Sequence, residues 1–470
     1  MKPPSTPSIL PFPAENDNFD DSISDTTSED SDDVNTPLTS RLSPRSSSPP
    51  SSSSSSSGSA TTRARHATFA RLRASLRRTA RSDHVLPSVY LGSILALHLS
   101  CFWLLDSLKD PILTLTSGIE NQPKAKMLSI LFTVCTTVLY NMYLQAPNRG
   151  LVLHYLLYSY ALSFLLLSLL NPSTSALLGF LNFVLTESYG SLITAHFWAY
   201  CNAHVPRKDQ SKAYPLIIAL AQVGAAMGGA AARGGEDMNG RYFVGGVMGP
   251  LSASVSLYAY ESKFGIVVQG SRLSRNMWRG LKLIRKDTYL HYVLVLSTLY
   301  EVTLTVLDYF LKLVSIRKFT TVAGLSVSSL TTFLGGYAVF INLLSFLFSL
   351  FLFPLLIRRF GVKASLTLYP TFLVLATLLT FTKPGLEVAF ICMGCLKSLA
   401  YSVNDPLKEL LYAVTPMEVK FASKSWIDVV GSRAAKGAGS LMSDSAGGDV
   451  GRLVERSALP CLAAGVGLLW

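Results

Sequence analysis

Charge is scarce in this chain: 15% of its 470 residues are Asp, Glu, Lys or Arg, against roughly 25% in a typical soluble domain. A soluble multidomain protein of this length is excluded by that shortage together with long apolar runs from Val85 onward. Cysteine is also sparse. The six (Cys101, Cys135, Cys201, Cys392, Cys395 and Cys461) all lie in apolar stretches, so no extracellular disulfide framework is expected. Cys392 and Cys395 form a lone CxxC inside an apolar run, with neither a second pair nor a nearby His, and read as buried thiols. No GxxxxGK[ST] loop, HExxH or GxSxG elbow occurs, and the seven histidines are scattered. Phosphate hydrolysis, zinc proteolysis and α/β-hydrolase chemistry therefore have no visible machinery. Neither an enzyme nor a cofactor is expected. No apolar h-region follows Met1, so no signal peptide is expected.

What is present is a polar tail followed by hydrophobic segments. Residues 1–84 hold an acidic block (Asp17 to Asp33), a Ser/Pro block (Ser46 to Ser59) and a basic block (Arg63 to Arg81). Such composition cannot bury a core, so the tail is expected to be disordered. From Leu86 apolar windows recur at 86–106, 126–145, 151–170, 176–203, 213–233, 241–260, 288–312, 330–357, 363–382, 386–414, 421–442 and 457–470. Each is expected to be a transmembrane helix, the eleventh being amphipathic and the twelfth shorter than the roughly 20 residues a crossing needs. The net charge of +12 does not imply nucleic acid, because Lys and Arg sit between the apolar runs and in the tail. The loops holding Arg207, Lys208 and Lys212, then Lys263 to Lys286, then Arg358, Arg359 and Lys363 fall on the side of the N-terminus. Positive loops mark the cytoplasmic side or its equivalent. Six spans, a long basic loop and six more spans give an all-α, major-facilitator-like plan. The boundaries are 1–84 for the tail, 85–260 for the first half, 261–287 for the basic loop and 288–470 for the second half.

An ionised side chain near the bilayer centre costs at least ~2.5–3.5 kcal/mol, so charges inside apolar windows are informative. Glu187 lies in the fourth span with Ser191, Thr194 and Trp198 on its face, and Glu301 lies mid-way along the seventh with Ser297, Thr305 and Asp308. In the tenth span Lys397, Tyr401, Asn404 and Lys408 form one polar stripe; Lys109 and Asp110 close the first span. Such charges can pair and lock helices together. Directed inward from both halves, they would instead line an aqueous cavity whose lysines suit an anionic substrate.

Two stretches are more specific. Tyr401 to Tyr412 reads YSVNDPLKELLY, and Ser425 to Ser440 reads SWIDVVGSRAAKGAGS. They resemble the nucleotide transporters of plastids and obligate intracellular bacteria, whose patterns there are YSxFDPxKEMAY and KAAIDVVGxRLGKSGG. Ser107 to Asp110 (SLKD), Glu187-Ser-Tyr-Gly-Ser with Phe197-Trp198, Asn202 and Tyr214-Pro215-Leu216, and Glu301-Val302-Thr303 also agree. The resemblance runs from about Leu86 to Trp470 and excludes the tail. It implies adenine nucleotide exchange and four transport-relevant charges, which fall on Lys109, Glu187, Glu301 and Lys408. With Lys397, Asn404, and Asp405, Arg433 and Lys436 of the matching motifs, these make the candidate site. The family's GLGAN run is Ala219-Leu-Ala-Gln222 here, so Gln222 stands where an Asn would contact the base. Leu304 replaces the Trp after EVT, Asn404 the Phe before Asp-Pro, and Ser188-Tyr189 a Leu-Trp. The chain is thus a divergent relative.

The expected function is ATP/ADP antiport by alternating access, with ATP and ADP as partners, a lipid bilayer as host, no nucleic acid and a monomeric state. Uptake of other nucleotides or another organic anion, with or without proton coupling, and a non-transporting membrane scaffold are the alternatives. Relatives in plastid envelopes make that membrane the expected location.

Overall fold

The computed structural model describes residues 85–143, 152–233, 238–265, 279–323, 327–413, 423 and 426–456. All lie in one compact unit, Phe69–Trp470. The tail and the twelfth expected span lie outside the described residues.

Every regular element among the described residues is helical: α1 (Val85–Ser117), α2 (Gln122–Tyr143), α3 (Val152–Leu170), α4 (Ala176–His204), α5 (Arg207–Ala232), α6 (Met238–Phe243), α7 (Gly249–Phe264), α8 (Arg279–Lys286), α9 (Thr288–Ala323), α10 (Val327–Leu347), α11 (Phe353–Thr382), α12 (Leu386–Leu399), α13 (Asp405–Ala413), α14 (Ser432–Asp444) and α15 (Val450–Arg456), with one short 3-10 turn at Ile119–Asn121. Among the described residues, seven helical segments are long and apolar enough to cross a membrane. One of them, Ser328–Thr382, is 55 residues long and contains the expected eighth and ninth spans. The break between them is Gly361, at φ 73°, a backbone conformation that a Cβ penalises.

Several expected boundaries move. The first helix continues past 106 to Ser117, and the seventh continues past 312 to Ala323. Lys109 and Asp110 therefore do not close a span; they are 2% and 3% exposed inside one. Asp308 likewise lies inside α9 rather than near its end. The hydropathy window stops at a charge, whereas the helix continues because each charge finds a partner.

Three helices widen locally into π-turns, at Val244–Met248, Phe348–Leu352 and Ala400–Asn404. Each turn has a proline two residues beyond its end: Pro250, Pro354 and Pro406. Proline has no N–H to give and its ring crowds the carbonyl four residues back. That carbonyl belongs to Gly246, Leu350 or Ser402, inside the widened turn in every case. A fourth π-turn, Trp426–Gly431, leads into α14 without a proline.

The apolar core forms two main clusters. One uses residues from Leu91 to Tyr260. The other uses residues from Tyr300 to Leu453, joined by Trp103 and Ala225 of the first half. Among the described residues the two halves thus have largely separate cores, with helices of one packed against helices of the other. We call the side bearing the basic loops cis and the opposite side trans. Near the trans end α5 and α10 approach through glycine. A Cβ on Gly229 would stand 2.7 Å from the Ala338 Cβ, and one on Gly335 would stand 2.6 Å from the Gly229 carbonyl oxygen. Small residues of this kind let membrane helices pack closely.

Candidate functional site

Between the halves, α1, α2, α4, α9, α12, α13 and α14 contribute charged side chains that meet as a chain of ion pairs. In the first half Glu187 on α4 accepts from Lys109 at 2.5 Å and from Lys126 at 2.8 Å, both through Oε1. Lys109 also pairs with Asp106, one helical turn earlier on α1. Its ammonium stands 5.1 Å from the Phe183 ring centroid, close enough for a cation–π attraction.

In the second half Asp308 on α9 is held by Lys397 at 2.6 Å and by Lys312 at 3.0 Å. Lys312 continues across the midline to Asp110 of α1 at 2.9 Å. This ion pair joins the two halves directly. Glu301 is held more loosely. Lys436 stands 3.5 Å from its Oε1, and the Ser432 and Tyr300 hydroxyls donate to the same oxygen at 3.3 and 3.4 Å. Lys408 pairs with Asp405 at 2.7 Å and donates to the Tyr300 hydroxyl at 2.9 Å. It therefore reaches Glu301 through a phenol rather than directly.

Arg433 on α14 feels the charges of Glu187 in one half and Glu301 in the other. No carboxylate of the described residues comes within 4.0 Å of it. An intramembrane guanidinium left without an ion-pair partner is costly, and its planar fork matches a bidentate oxyanion.

Exposure grades along this chain. The side chains of Asp110 and Lys312 are 4% and 10% exposed, while Lys436 and Asp405 reach 30% and 47%. The buried end lies toward the trans side, where α1 approaches its C-terminus. The exposed end lies cis, in the last part of the tenth span. The loops behave accordingly. A Cβ on Gly448 of the second half would touch Glu120 of the first at 3.3 Å on the trans side. On the cis side the described polar ties stay within one half: Lys263 with Tyr90, and Tyr289 with Leu411. Contact between the halves is thus seen at the trans end among the described residues.

The polar stripe expected on the tenth span loses Asn404. The π-turn at Ala400–Asn404 takes up an extra residue and rotates the helix beyond it. Lys397 and Lys408 both reach α9, at Asp308 and Tyr300. Asn404 is turned fully into the core, with neither amide atom hydrogen-bonded. Gln222 is buried on α5 with its Oε1 unpartnered, and none of the described contacts ties it to the charged chain.

Asp106, Lys126, Lys312 and Tyr300 were not legible from the sequence as site residues. Lys126 and Lys312 sit at the edges of the expected spans 126–145 and 288–312, where a charge looks like a helix end. A separate buried node was missed for the same reason: Glu261 accepts from His154 at 3.1 Å and from the Tyr200 hydroxyl at 3.2 Å, within the first half. Among the described residues no cluster of His, Cys, Asp and Glu is arranged to hold a metal.

No protein-family model and no curated protein sequence matches the chain. Solved structures do match. A nucleoside transporter, NupG (D323A mutant), aligns at TM-score 0.58 with 13% identity, covering 82% of this chain and 100% of that one. An auto-inhibited POT family peptide transporter aligns at TM-score 0.58 with 11% identity, covering 82% and 96%. A bacterial homologue of the iron transporter ferroportin, in an inward-facing state, aligns at TM-score 0.54 with 16% identity, covering 81% and 97%. The fold is that of major-facilitator-type membrane transporters: a polytopic bundle of two six-helix halves.

Proposed function

We propose that this chain is a nucleotide transporter, exchanging ATP and ADP by alternating access, and that it works in a plastid envelope as its motif relatives do. The observation that carries the reading is the inter-half chain of lysines, each neutralised by a carboxylate, with an arginine that lacks one. An empty site of this kind keeps its cations paired, because unpaired buried charge is costly. A polyphosphate entering from the cis side would give Arg433 the oxyanion partner it lacks and replace carboxylates as the partner of Lys408 and Lys436, and then of Lys109 and Lys126. Lysine suits this exchange as a point charge that swings between partners. The candidates taken from the sequence (Lys109, Glu187, Glu301, Lys408, Lys397, Asp405, Arg433 and Lys436) are assigned to that exchange, while Gln222 and Asn404 are assigned to shaping the pocket around the base.

The test is exchange of labelled ATP for internal ADP in proteoliposomes holding the purified full chain. Saturable exchange competed by ADP supports the reading. Absence of exchange, with retained uptake of GTP, CTP or a simpler organic anion, would replace it with the broader anion-transport reading. That second reading is favoured by one feature, Gln222 in place of the family's base-contacting Asn.

A further inference from the structure

The helix α8 (Arg279–Lys286) precedes the second half and lies at its cis edge. Its sequence, RGLKLIRK, alternates function by face. Ile284 is buried in a small cluster with Leu290 and Val293 of α9 and Ile427 of the π-turn before α14, and Leu283, Leu411 and Trp426 pack around it. The helix thus braces the cis ends of three membrane helices. Its opposite face carries Lys282, Arg285 and Lys286, all exposed. No carboxylate of the described residues lies within 4.0 Å of any of them. The nearest acid in sequence, Asp287, is engaged: its Oδ1 accepts from the Tyr289 N–H at 2.9 Å and caps the start of α9.

Aromatic side chains mark the level of this face. Tyr289 is 37% and Tyr292 64% exposed at the beginning of α9, and Leu281 is 42% exposed on α8. Exposed tyrosines at a span's end sit where headgroups meet acyl chains. A basic amphipathic helix at that depth lies in the plane of the interface. We propose that the Lys282–Arg285–Lys286 face is a binding site for anionic phospholipid headgroups of the cis leaflet. Leu281, Tyr289 and Tyr292 flank the headgroup, and α8 transmits its occupancy to α9, α13 and the turn before α14. This goes beyond substrate transport and does not depend on the substrate's identity.

The experiment follows thermal unfolding of the purified full chain in phosphatidylcholine nanodiscs with increasing phosphatidylglycerol. The unfolding midpoint should rise with the anionic lipid, and the triple variant Lys282→Gln/Arg285→Gln/Lys286→Gln should lose most of that rise. Three basic groups near an anionic surface are together worth on the order of a hundredfold in lipid affinity. In pure phosphatidylcholine wild type and variant should unfold alike. If the triple variant does not fold, Lys282→Gln alone, read at the lipid fraction giving the half-maximal rise, decides the matter. An equal rise in variant and wild type, or none in wild type, overturns the proposal. So does an equal rise produced by soluble glycerol phosphate in neutral nanodiscs, which would make this a free-phosphate site. Because the readout is unfolding, failure here leaves the transport reading untouched, and failure of ATP exchange leaves this one untouched.

Discussion

Glu187, on α4 of the first half, and Glu301, on α9 of the second, are held differently. Glu187 lies between two ammonium groups at 2.5 and 2.8 Å. Glu301 has one ammonium at 3.5 Å and two hydroxyls. Glu187 therefore sits in a tight knot, as Asp308 does in the second half with Lys397 and Lys312 at 2.6 and 3.0 Å, whereas Glu301 is loosely engaged. A site that trades ion partners needs both: one end that stays neutral without substrate, and one that releases its partner at small cost.

Breaking the tight knot should have the largest effect. Glu187→Gln leaves Lys126 without a carboxylate and Lys109 with Asp106 alone. Removing one member of a buried pair costs about 3–5 kcal/mol. We expect lower thermal stability and loss of nucleotide exchange, measured together on purified protein. Glu301→Gln, which keeps an oxygen for the Ser432 and Tyr300 hydroxyls and gives up an ammonium at 3.5 Å, should destabilise clearly less. If the two variants destabilise equally, the asymmetry between the two acids fails.

Next comes the bond that joins the halves. Lys312→Met severs the bridge to Asp110 and leaves that acid buried. The trans closure should loosen, so a cysteine introduced at Ile119 should react faster with a membrane-impermeant thiol reagent applied from the trans side. Adding Asp110→Asn should recover most of the lost stability, since replacing a whole buried pair is far milder than halving it.

Lys408→Ala should separate stability from transport. Its partner Asp405 is 47% exposed, so solvent screens the loss and folding should change by less than about 1 kcal/mol. A charge-assisted contact to phosphate is worth roughly 1.5–3 kcal/mol. Exchange per folded molecule should therefore fall about tenfold to a hundredfold. The smallest effect is expected at Gln222→Ala. This change removes an amide whose oxygen has no partner, so folding should be nearly unchanged, while the ranking of ATP, GTP and CTP shifts in uptake assays.

Much of the architecture was legible in the sequence. The apolar windows anticipated the helices, and a charge inside a window was informative because it is expensive there. That same expense hid half of the site. A window placed by hydropathy ends where a charge begins, so Lys109, Asp110, Lys126, Glu261 and Lys312 all looked like helix ends. The partners that make each one tolerable come from other helices, many tens of residues away in sequence, and only packing reveals them. Asn404 leaves the stripe on the tenth span for a local reason. A constant 3.6-residue period does not hold across a stretch that Pro406 forces into a wider turn. Asn404, expected beside the two lysines, is buried by that turn.

The glycine contact between α5 and α10 has a mechanical meaning. Gly229 sits near the trans end of a 26-residue helix, so about 33 Å of helix, with Pro215 within it, extends from it toward the cis side. A seam of this kind is a fulcrum close to one end of a beam. Rocking by about 10° would sweep the far tip through roughly 6 Å while the fulcrum itself barely moves. Under the proposed alternating access, small displacements at the trans end would be geared up into a wide swing at the cis mouth. The gearing also works against the molecule: a single methyl wedged into the fulcrum is magnified along the whole arm.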